Sequence, residues 1–446
     1  MKKQPHCQDP EEEEHIRILK KKATDFIRVG TDYYCHSVKL TSKGEPVPAL
    51  YFWRKTTISD DYTRKIFTYI NKYLSFVNVP DNTKNYNREI RHNNIPFWNL
   101  YEPLKHSPSI GSIDTTLKFL NHIFQDKIAV ILDYLKILFE KPTQNLPVIC
   151  LVSKTQETGK TTFLKWLSEI YGNNAIILGN EDFQGNFNSH YASKLIIGVD
   201  ESFIERNIIK EKVKRLTDGN TINMEAKGRD IVKVDFIGKF ILLSNKEDNF
   251  IQMDREDTRF FVTKPPAVKK EDRDPGLLEK LKKEIPHFLF YLNNRNLVHH
   301  NKGRLWFDSA IYETEALKKI VINTRSKVEK EMIRWFEEMF AFEDDIRGEI
   351  KITPSELAKQ LSGTLKTITG LGSEISRVFK ENWDLKNSAK PERFQYPELQ
   401  EVSNVVVDPD TGKSKSTTEV QLKMISKPGR PFTVTVEMIE SLNLPN

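Results

Sequence analysis

Five short apolar runs follow one another, separated by segments of helical pattern, between residues 147 and 263. They read VICLVS, AIILG, KLIIGVD, KFILLS and RFFVT. Continuously apolar strands are typical of a sheet that is buried on both faces, and the helices between them supply the crossovers that parallel strands need. This stretch therefore predicts an α/β domain built on a largely parallel sheet.

The rest of the chain divides around this domain. Residues 1–105 mix a charged helical segment with strand-like runs and predict an accessory domain of unknown role. Residues 106–145 carry apolar residues at helical spacing up to Pro142 and predict a helical linker or collar. The α/β domain with a helical extension takes residues 146–325, and the extension DPGLLEKLKKEIPHFLFYLNNR predicts a long helix with one proline break. Three helices followed by a basic hairpin predict a winged-helix-like nucleic-acid-binding domain and tail over residues 326–446.

Composition favours a cytoplasmic globular protein. Hydrophobic residues make up 38% of the chain and charged residues 29%, which is not the balance of a disordered chain. The longest apolar candidate, KIAVILDYLKILF, is interrupted by Asp133 and Lys136, so no membrane span is expected. The basic residues at the start precede no apolar core, which argues against a signal peptide. The net charge of +6 permits nucleic-acid binding without requiring it.

The first apolar run leads into VICLVSKTQETGKTTFLKWL, residues 148–167. A strand, a loop and a helix N-terminus in this order gather backbone N–H groups around an anion. Gly159 is expected to let the backbone approach phosphate, Lys160 to bind the outer phosphates, and the hydroxyl of Thr161 to bind Mg²⁺. The predicted nucleotide-binding residues are Lys154, Thr158, Gly159, Lys160, Thr161 and Thr162, and the cofactors are ATP and Mg²⁺.

The loop departs from the usual phosphate loop at two positions. Lys154 stands where the first glycine is expected, and Glu157 brings a negative charge that repels phosphate unless its side chain points to solvent. The other interpretation of the segment is a strand, turn and helix with a chance Gly-Lys-Thr.

Polar side chains follow two later strands. Asp200 and Glu201 end KLIIGVDES, where Asp200 is expected to hold Mg²⁺ and Glu201 to deprotonate the attacking water. Asn245 ends KFILLSN and is expected to contact the γ-phosphate, although an asparagine opening a turn fits as well.

An arginine precedes the last apolar run. Arg259 is predicted to reach a neighbouring subunit's γ-phosphate, with Arg255 as the second choice. An intrachain salt bridge from Arg259 to Asp254 or Asp257 is the structural alternative.

The order of phosphate loop, paired acids, basic hairpin, asparagine and arginine resembles the superfamily 3 helicases of viruses, phages and plasmids, a ring-forming branch of the AAA+ ATPases. The segment LTDGNTINMEAKGRDIVKVDFIGKFILLSN is the best marker. By this resemblance Lys227, with Gly228 and Arg229 beside it, lies at a hairpin tip that touches DNA in a central pore. A solvated surface turn is the alternative.

Features spaced over about residues 95–325 resemble the helicase portion of the phage and mobile-element primase-helicases. The resemblance implies an ATP-hydrolysing DNA helicase that forms a homo-oligomeric ring, a hexamer, and pulls single-stranded DNA through its pore. It implies work in DNA replication of a phage, plasmid or mobile element, in the bacterial cytoplasm or a phage-infected cell. Single-stranded or forked DNA is the expected partner, and a separate primase or polymerase is a further candidate.

Two other functions compete with this interpretation. In the first, ATP drives assembly of an origin-binding initiator or regulator without processive unwinding, as the winged-helix-like region suggests. In the second, the chain is a phosphate-loop enzyme that acts on a small molecule or a nucleic-acid end, which gives no reason for the MEAKGRD segment.

Overall fold

A computed structural model describes residues 10–40, 42, 44, 46–83, 85–185, 188–200, 207–219, 221–225, 232–247, 257–323, 325–342, 346, 348–407 and 414–443. The chain divides into two compact units, Met1–Ile320 and Val321–Asn446. In the described part of the chain, no helix combines the length and apolar character needed to cross a membrane.

The first unit begins with a small mixed domain. Its elements are α1 (Pro10–Ala23), β1 (Phe26–Val29), β2 (Asp32–Leu40), β3 (Pro46–Trp53), α2 (Lys55–Asp61), β4 (Asn71–Tyr73), β5 (Phe76–Val77), β6 (Glu89–His92) and β7 (Ile95–Asn99). Glutamates in the first turn of α1 and lysines in its last turn complement the helix dipole. The strands form sheets in the orders β3-β2-β1-β4 and β5-β7-β6.

Two helices, α3 (Asp114–Phe124) and α4 (Ile128–Glu140), lead into the α/β domain. That domain contains β8 (Val148–Val152), α5 (Lys160–Tyr171), β9 (Ala175–Leu178), α6 (Asn180–Gln184), β10 (Ile196–Val199), α7 (Asn207–Asp218), β11 (Thr221–Met224), β12 (Val232–Asp235), β13 (Lys239–Ser244) and β14 (Phe260–Thr263). Three helices follow, α8 (Leu277–Asn294), α9 (Ser309–Tyr312) and α10 (Glu315–Asn323). Sequence predicted a proline break in α8, but the helix runs through Pro286 without interruption.

The central sheet has five strands in the order β14-β8-β13-β10-β9, and every adjacent pair is parallel. All residues of β8, β10, β13 and β14 are buried, because helices and connecting segments cover both faces of a parallel sheet. The prediction of an α/β fold with a largely parallel sheet is confirmed.

Helix α5 packs closely on the sheet because one strand residue lacks a side chain. A Cβ placed on Gly198 in β10 would lie 2.3–2.9 Å from side-chain carbons of Leu164 in α5. Helix α5 also packs against α8, where the rings of Trp166 and Phe288 lie 5.2 Å apart. This contact holds α5, and with it the loop that precedes α5, in a fixed position.

The second unit contains α11 (Lys327–Phe340), β15 (Glu349–Ile352), α12 (Pro354–Leu361), α13 (Leu371–Arg377), β16 (Glu392–Val407), β17 (Ser414–Gly429), β18 (Phe432–Thr435) and α14 (Val436–Asn443). Strands β16 and β17 form a long antiparallel hairpin, and β15 pairs with β18. Glu356 of α12 accepts hydrogen bonds from Tyr396 Oη at 2.8 Å and Lys427 Nζ at 2.7 Å. Burial raises the pKa of Glu356, but these bonds outweigh it and lower the pKa to about 2, so a charged carboxylate links α12 to the hairpin.

Candidate functional site

The carboxyl ends of β8 and β13 form the candidate site. The two strands are neighbours, yet the chain leaves β8 toward β9 on one side of the sheet and leaves β13 toward β14 on the other. Adjacent strands whose connections run in opposite directions along the sheet mark a switch point, and open α/β sheets bind ligands in the crevice at the carboxyl ends of such strands. The loop 153–159 follows β8 here and leads directly into α5.

Gly159 is required by both conformation and packing. Its φ of +91° lies in the left-handed region that glycine adopts at little cost. A Cβ at this position would also lie 3.1 Å from a ring carbon of Phe119 in α3. The backbone can therefore turn sharply into α5, with the N–H groups of the first helical turn left for an anion.

Lys160 joins two of the predicted motifs. Its Nζ donates to Ser153 O at 2.8 Å and to Asn245 Oδ1 at 3.0 Å. Burial lowers the pKa of Lys160, while the nearby charges of Glu247 and Asp200 oppose that effect. The structure thus brings the lysine after β8 and the asparagine after β13 into direct contact.

The threonines predicted for this site occupy different environments. Thr158 is buried, and its Oγ1 has no hydrogen-bond partner among the described residues. Thr161 and Thr162 lie in the first turn of α5, with Thr161 exposed. A buried hydroxyl without a partner is costly in a folded protein unless a ligand or water satisfies it.

Glu157 departs from the usual phosphate-loop pattern, and its charge was expected to repel phosphate. Its side chain is exposed and forms an ion pair with Arg273. Its backbone adopts a positive φ of +57°. The negative charge is therefore directed to solvent and to a cation rather than left unpaired in the loop.

Sequence reasoning missed Glu247, which fixes the start of the loop. Its carboxylate accepts the N–H of Lys154 at 2.8 Å and pairs with Lys264 Nζ at 2.8 Å. Burial raises the pKa of Glu247, but the bonds from Lys264 and Lys154 outweigh it and the pKa is lowered. Its position two residues after Asn245 was the signal that could have identified it.

Asp200 follows β10, the next strand of the sheet, and its charge is felt by Lys160. Its backbone N–H donates to Leu178 O at 3.2 Å. Glu201 lies outside the described residues. Among the residues that the structure describes, no group of three or more His, Cys, Asp or Glu could hold a metal ion.

Arg259 lies at the amino ends of the strands, just before β14 begins and opposite the candidate site. Its carbonyl accepts the N–H of Val148 at 2.7 Å, so it is level with the start of β8, whereas the phosphate loop begins at Ser153, after the end of β8. At the usual rise of a strand, these levels are about 16 Å apart. The separation exceeds the reach of an arginine side chain, so Arg259 cannot contact a nucleotide bound to its own phosphate loop.

Two carboxylates hold the guanidinium of Arg259. Its Nε and Nη2 donate to Asp218, at 3.0 and 2.8 Å, and its Nη1 donates to Asp257 at 3.2 Å. The bond to Asp257 is one of the two intrachain salt bridges that the sequence offered as an alternative for Arg259. The sequence analysis missed Asp218, although this residue belongs to the Asp-Gly element of the marker segment. Arg255 lies outside the described residues.

The predicted DNA-binding residues Lys227, Gly228 and Arg229 lie between β11 and β12, outside the described residues. The two strands that flank them pair antiparallel, with Met224 opposite Val232. This antiparallel pair lies between α7 and β13 along the chain.

Residues 151–259 match a family described as a family of unknown function, DUF5906. The matched range begins in β8 and ends at Arg259, so it contains the candidate site and the arginine at the opposite edge. Among curated proteins, none matches the chain.

Solved structures similar to the chain include two apo structures of the NrS-1 C-terminal region. The structure titled with residues 305–718 has a TM-score of 0.60 and 15% identity, over 91% of this chain and 98% of that one. The A form apo structure has the same TM-score and identity, over 91% of this chain and 99% of that one. This likeness shows a shared fold. A structure of JCV Helicase with a bound small molecule has a TM-score of 0.29 and 15% identity, over 50% of this chain and 62% of that one, which is too low a likeness to show a shared fold.

Proposed function

We propose that this chain is a Mg²⁺-dependent ATPase that assembles into a ring and pulls single-stranded DNA through a central pore, as a replicative helicase of superfamily 3. The observation that carries the proposal is the contact of Lys160 Nζ with both Ser153 O and Asn245 Oδ1 at the crevice between β8 and β13. A buried lysine held by neutral oxygens is a cation ready to exchange one of them for phosphate.

The residues present fit a nucleotide with its metal. Lys160 and the N–H groups of the first turn of α5 would hold the phosphates, and the unpartnered hydroxyl of Thr158 would gain an acceptor or donor. Thr161 and Asp200 would hold Mg²⁺, which neutralises charge on the outer phosphates. Asn245 would contact the γ-phosphate, and Glu201 would accept a proton from the attacking water.

The order of the central sheet supports the AAA+ part of the proposal. Numbered along the chain, its strands lie in the order five, one, four, three, two, which places the strands that bear Asp200 and Asn245 on one side of the phosphate loop. The antiparallel pair β11–β12 precedes β13, the strand that Asn245 follows, so a nucleotide-dependent movement of β13 would be passed to Lys227.

A ring also gives Arg259 a function. Because this residue lies too far from the phosphate loop of its own chain, it could act on a nucleotide only across a subunit interface. An arginine supplied in this way stabilises the charge of the transition state and is worth roughly a thousandfold or more in rate.

The test is ATP hydrolysis by the full chain, with and without single-stranded DNA. We expect hydrolysis that requires Mg²⁺ and rises with DNA, and a Glu201→Gln variant that binds ATP without hydrolysing it. Hydrolysis by that variant at the wild-type rate would remove Glu201 from the mechanism.

The second candidate function is an ATP-dependent origin-binding initiator. The second unit favours it, because α12, α13 and the β16–β17 hairpin follow one another as they do in winged-helix domains. Displacement of a labelled strand from forked DNA separates the two functions, since an initiator would bind and hydrolyse ATP without releasing the strand.

A further inference from the structure

A second arginine shares the carboxylate that holds Arg259. Arg304 Nη1 lies 2.6 Å from Asp218 Oδ1, while Arg259 Nη2 lies 2.8 Å from Asp218 Oδ2. Asp257 completes the group, with Arg259 Nη1 at 3.2 Å and Lys214 Nζ at 2.7 Å. We name these five residues the arginine cluster.

In the arginine cluster, one carboxylate binds two guanidinium groups. Arg259 and Arg304 both contact Asp218, whereas Lys214 pairs with Glu211 as well as with Asp257. Two guanidinium groups on one carboxylate repel each other, so the second contributes little to stability. An anion that approaches the cluster would relieve this repulsion.

Arg304 is the exposed member of the pair. Its side chain is 48% exposed, against 26% for Arg259, and it borders a cavity of about 530 Å³ whose other charged lining residues are Glu140 and Lys141. Its backbone is nevertheless fixed, because its carbonyl accepts a hydrogen bond from Gln144 Nε2 at 2.9 Å and the next residue, Leu305, is buried. An exposed cation on a rigid base is suited to meet a group from outside the chain.

The bonds within the cluster leave donors for such a group. A guanidinium carries five N–H donors, and each terminal nitrogen has two. Arg259 uses one N–H of Nη1 on Asp257 and one of Nη2 on Asp218. The second N–H of each nitrogen can still point to phosphate oxygens, which arginine binds in bidentate fashion.

Building on the ring ATPase proposed above, we propose that Arg304 is a second arginine that contacts the neighbouring subunit's nucleotide, and that Asp218 is the positioning residue that holds Arg259 and Arg304 side by side. The two arginines come from segments on either side of α8. A carboxylate at the end of α7 that binds both fixes their spacing, so that one phosphate group can meet both.

The first test is the Arg304→Ala variant in the full chain. We expect nucleotide affinity, measured with a fluorescent ATP analogue, and the melting temperature to stay near the wild-type values. DNA-stimulated hydrolysis should fall about a hundredfold, as on removal of one preorganised donor to the transition state. The matched control is Arg91→Ala, an exposed arginine paired with Glu89 in the N-terminal domain, and it should hydrolyse ATP as the wild type does.

Subunit mixing decides where Arg304 acts. Arg304→Ala chains keep an intact nucleotide site, and Lys160→Ala chains keep intact arginines, so mixed rings should regain part of the activity. Mixing Arg304→Ala with the double variant Arg304→Ala, Lys160→Ala should restore nothing. If tagged pull-down verifies subunit exchange and no activity returns, or if Arg304→Ala alone hydrolyses ATP normally, the inference is wrong.

Asp218→Asn tests the positioning role. The amide keeps the shape but loses the charge that orders both guanidinium groups, so kcat should fall about tenfold or more with the KM for ATP little changed. Asp218→Glu should recover part of kcat. A wild-type chain without ATPase activity would overturn the ring ATPase itself, whereas an inactive Arg259→Ala chain beside a fully active Arg304→Ala chain would overturn only the paired arginines.

Discussion

The contact between Lys160 and Asn245 allows a substitution whose effects on stability and on nucleotide binding have opposite signs. Asn245→Asp would place a carboxylate where an amide oxygen now lies 3.0 Å from Lys160 Nζ. At an effective dielectric constant of 20, the attraction at this distance is about 5 kcal/mol. Desolvation offsets most of it because Lys160 is buried, so we expect a net gain of about 1–2 kcal/mol in the free energy of unfolding.

The same carboxylate opposes the phosphates. It would raise the pKa of Lys160, which burial now lowers, but it would also neutralise the cation and repel the γ-phosphate. A loss of at least 1.4 kcal/mol in binding corresponds to a tenfold weaker affinity, and we expect an effect of about this size or larger.

Two measurements on one protein sample are sufficient. Thermal unfolding without nucleotide should show a higher midpoint for Asn245→Asp, and titration of a fluorescent ATP analogue should show weaker binding. Asn94→Asp in an exposed turn of the N-terminal domain adds the same charge elsewhere and should change neither. Unchanged nucleotide affinity in a stabilised Asn245→Asp chain would refute the placement of Asn245 beside the phosphates.

Further predictions concern the loop, a buried lysine, the hairpin and the second unit. Gly159→Ala should lower the free energy of unfolding by about 1–2 kcal/mol, measured in chemical denaturation, because alanine is strained at a φ of +91°. Burial lowers the pKa of Lys239 from 10.5 to about 7, so the unfolded chain binds this proton more tightly and the free energy of unfolding should rise with pH. The rise through this residue is about 2 kcal/mol from pH 7 to pH 9, and equal pH profiles for Lys239→Met and the wild type would contradict it. Lys227→Ala should abolish strand displacement while basal ATP hydrolysis survives; normal unwinding would make the hairpin a surface turn. Removal of residues 327–446 should weaken DNA binding, measured by filter binding at several salt concentrations, and leave ATP hydrolysis unchanged. Unchanged DNA affinity would indicate that these residues bind protein partners instead.

Local patterns predicted most of the α/β domain. Buried strands need apolar residues on both faces, and the sharp turn into α5 needs Gly159, so both features are visible in short stretches of sequence. The approach of Lys160 to Asn245 could also be expected, because carboxyl ends of parallel strands lie at one edge of a sheet.

Pairings between distant segments could not be predicted. Arg273 neutralises Glu157, and Arg304 shares Asp218 with Arg259, but surface charges are too numerous for spacing to select such partners. Pro286 also misled the sequence reading, because proline is expected to break a helix and here α8 continues through it.

The most direct test of the ring ATPase is cryo-electron microscopy of the Glu201→Gln chain with Mg²⁺, ATP and forked DNA. We expect a closed ring with nucleotide phosphates at Lys160 and Asn245, the guanidinium of Arg259 from the adjacent subunit facing them, and one DNA strand against Lys227 in the pore. Monomeric particles, or nucleotide bound away from the crevice between β8 and β13, would contradict it.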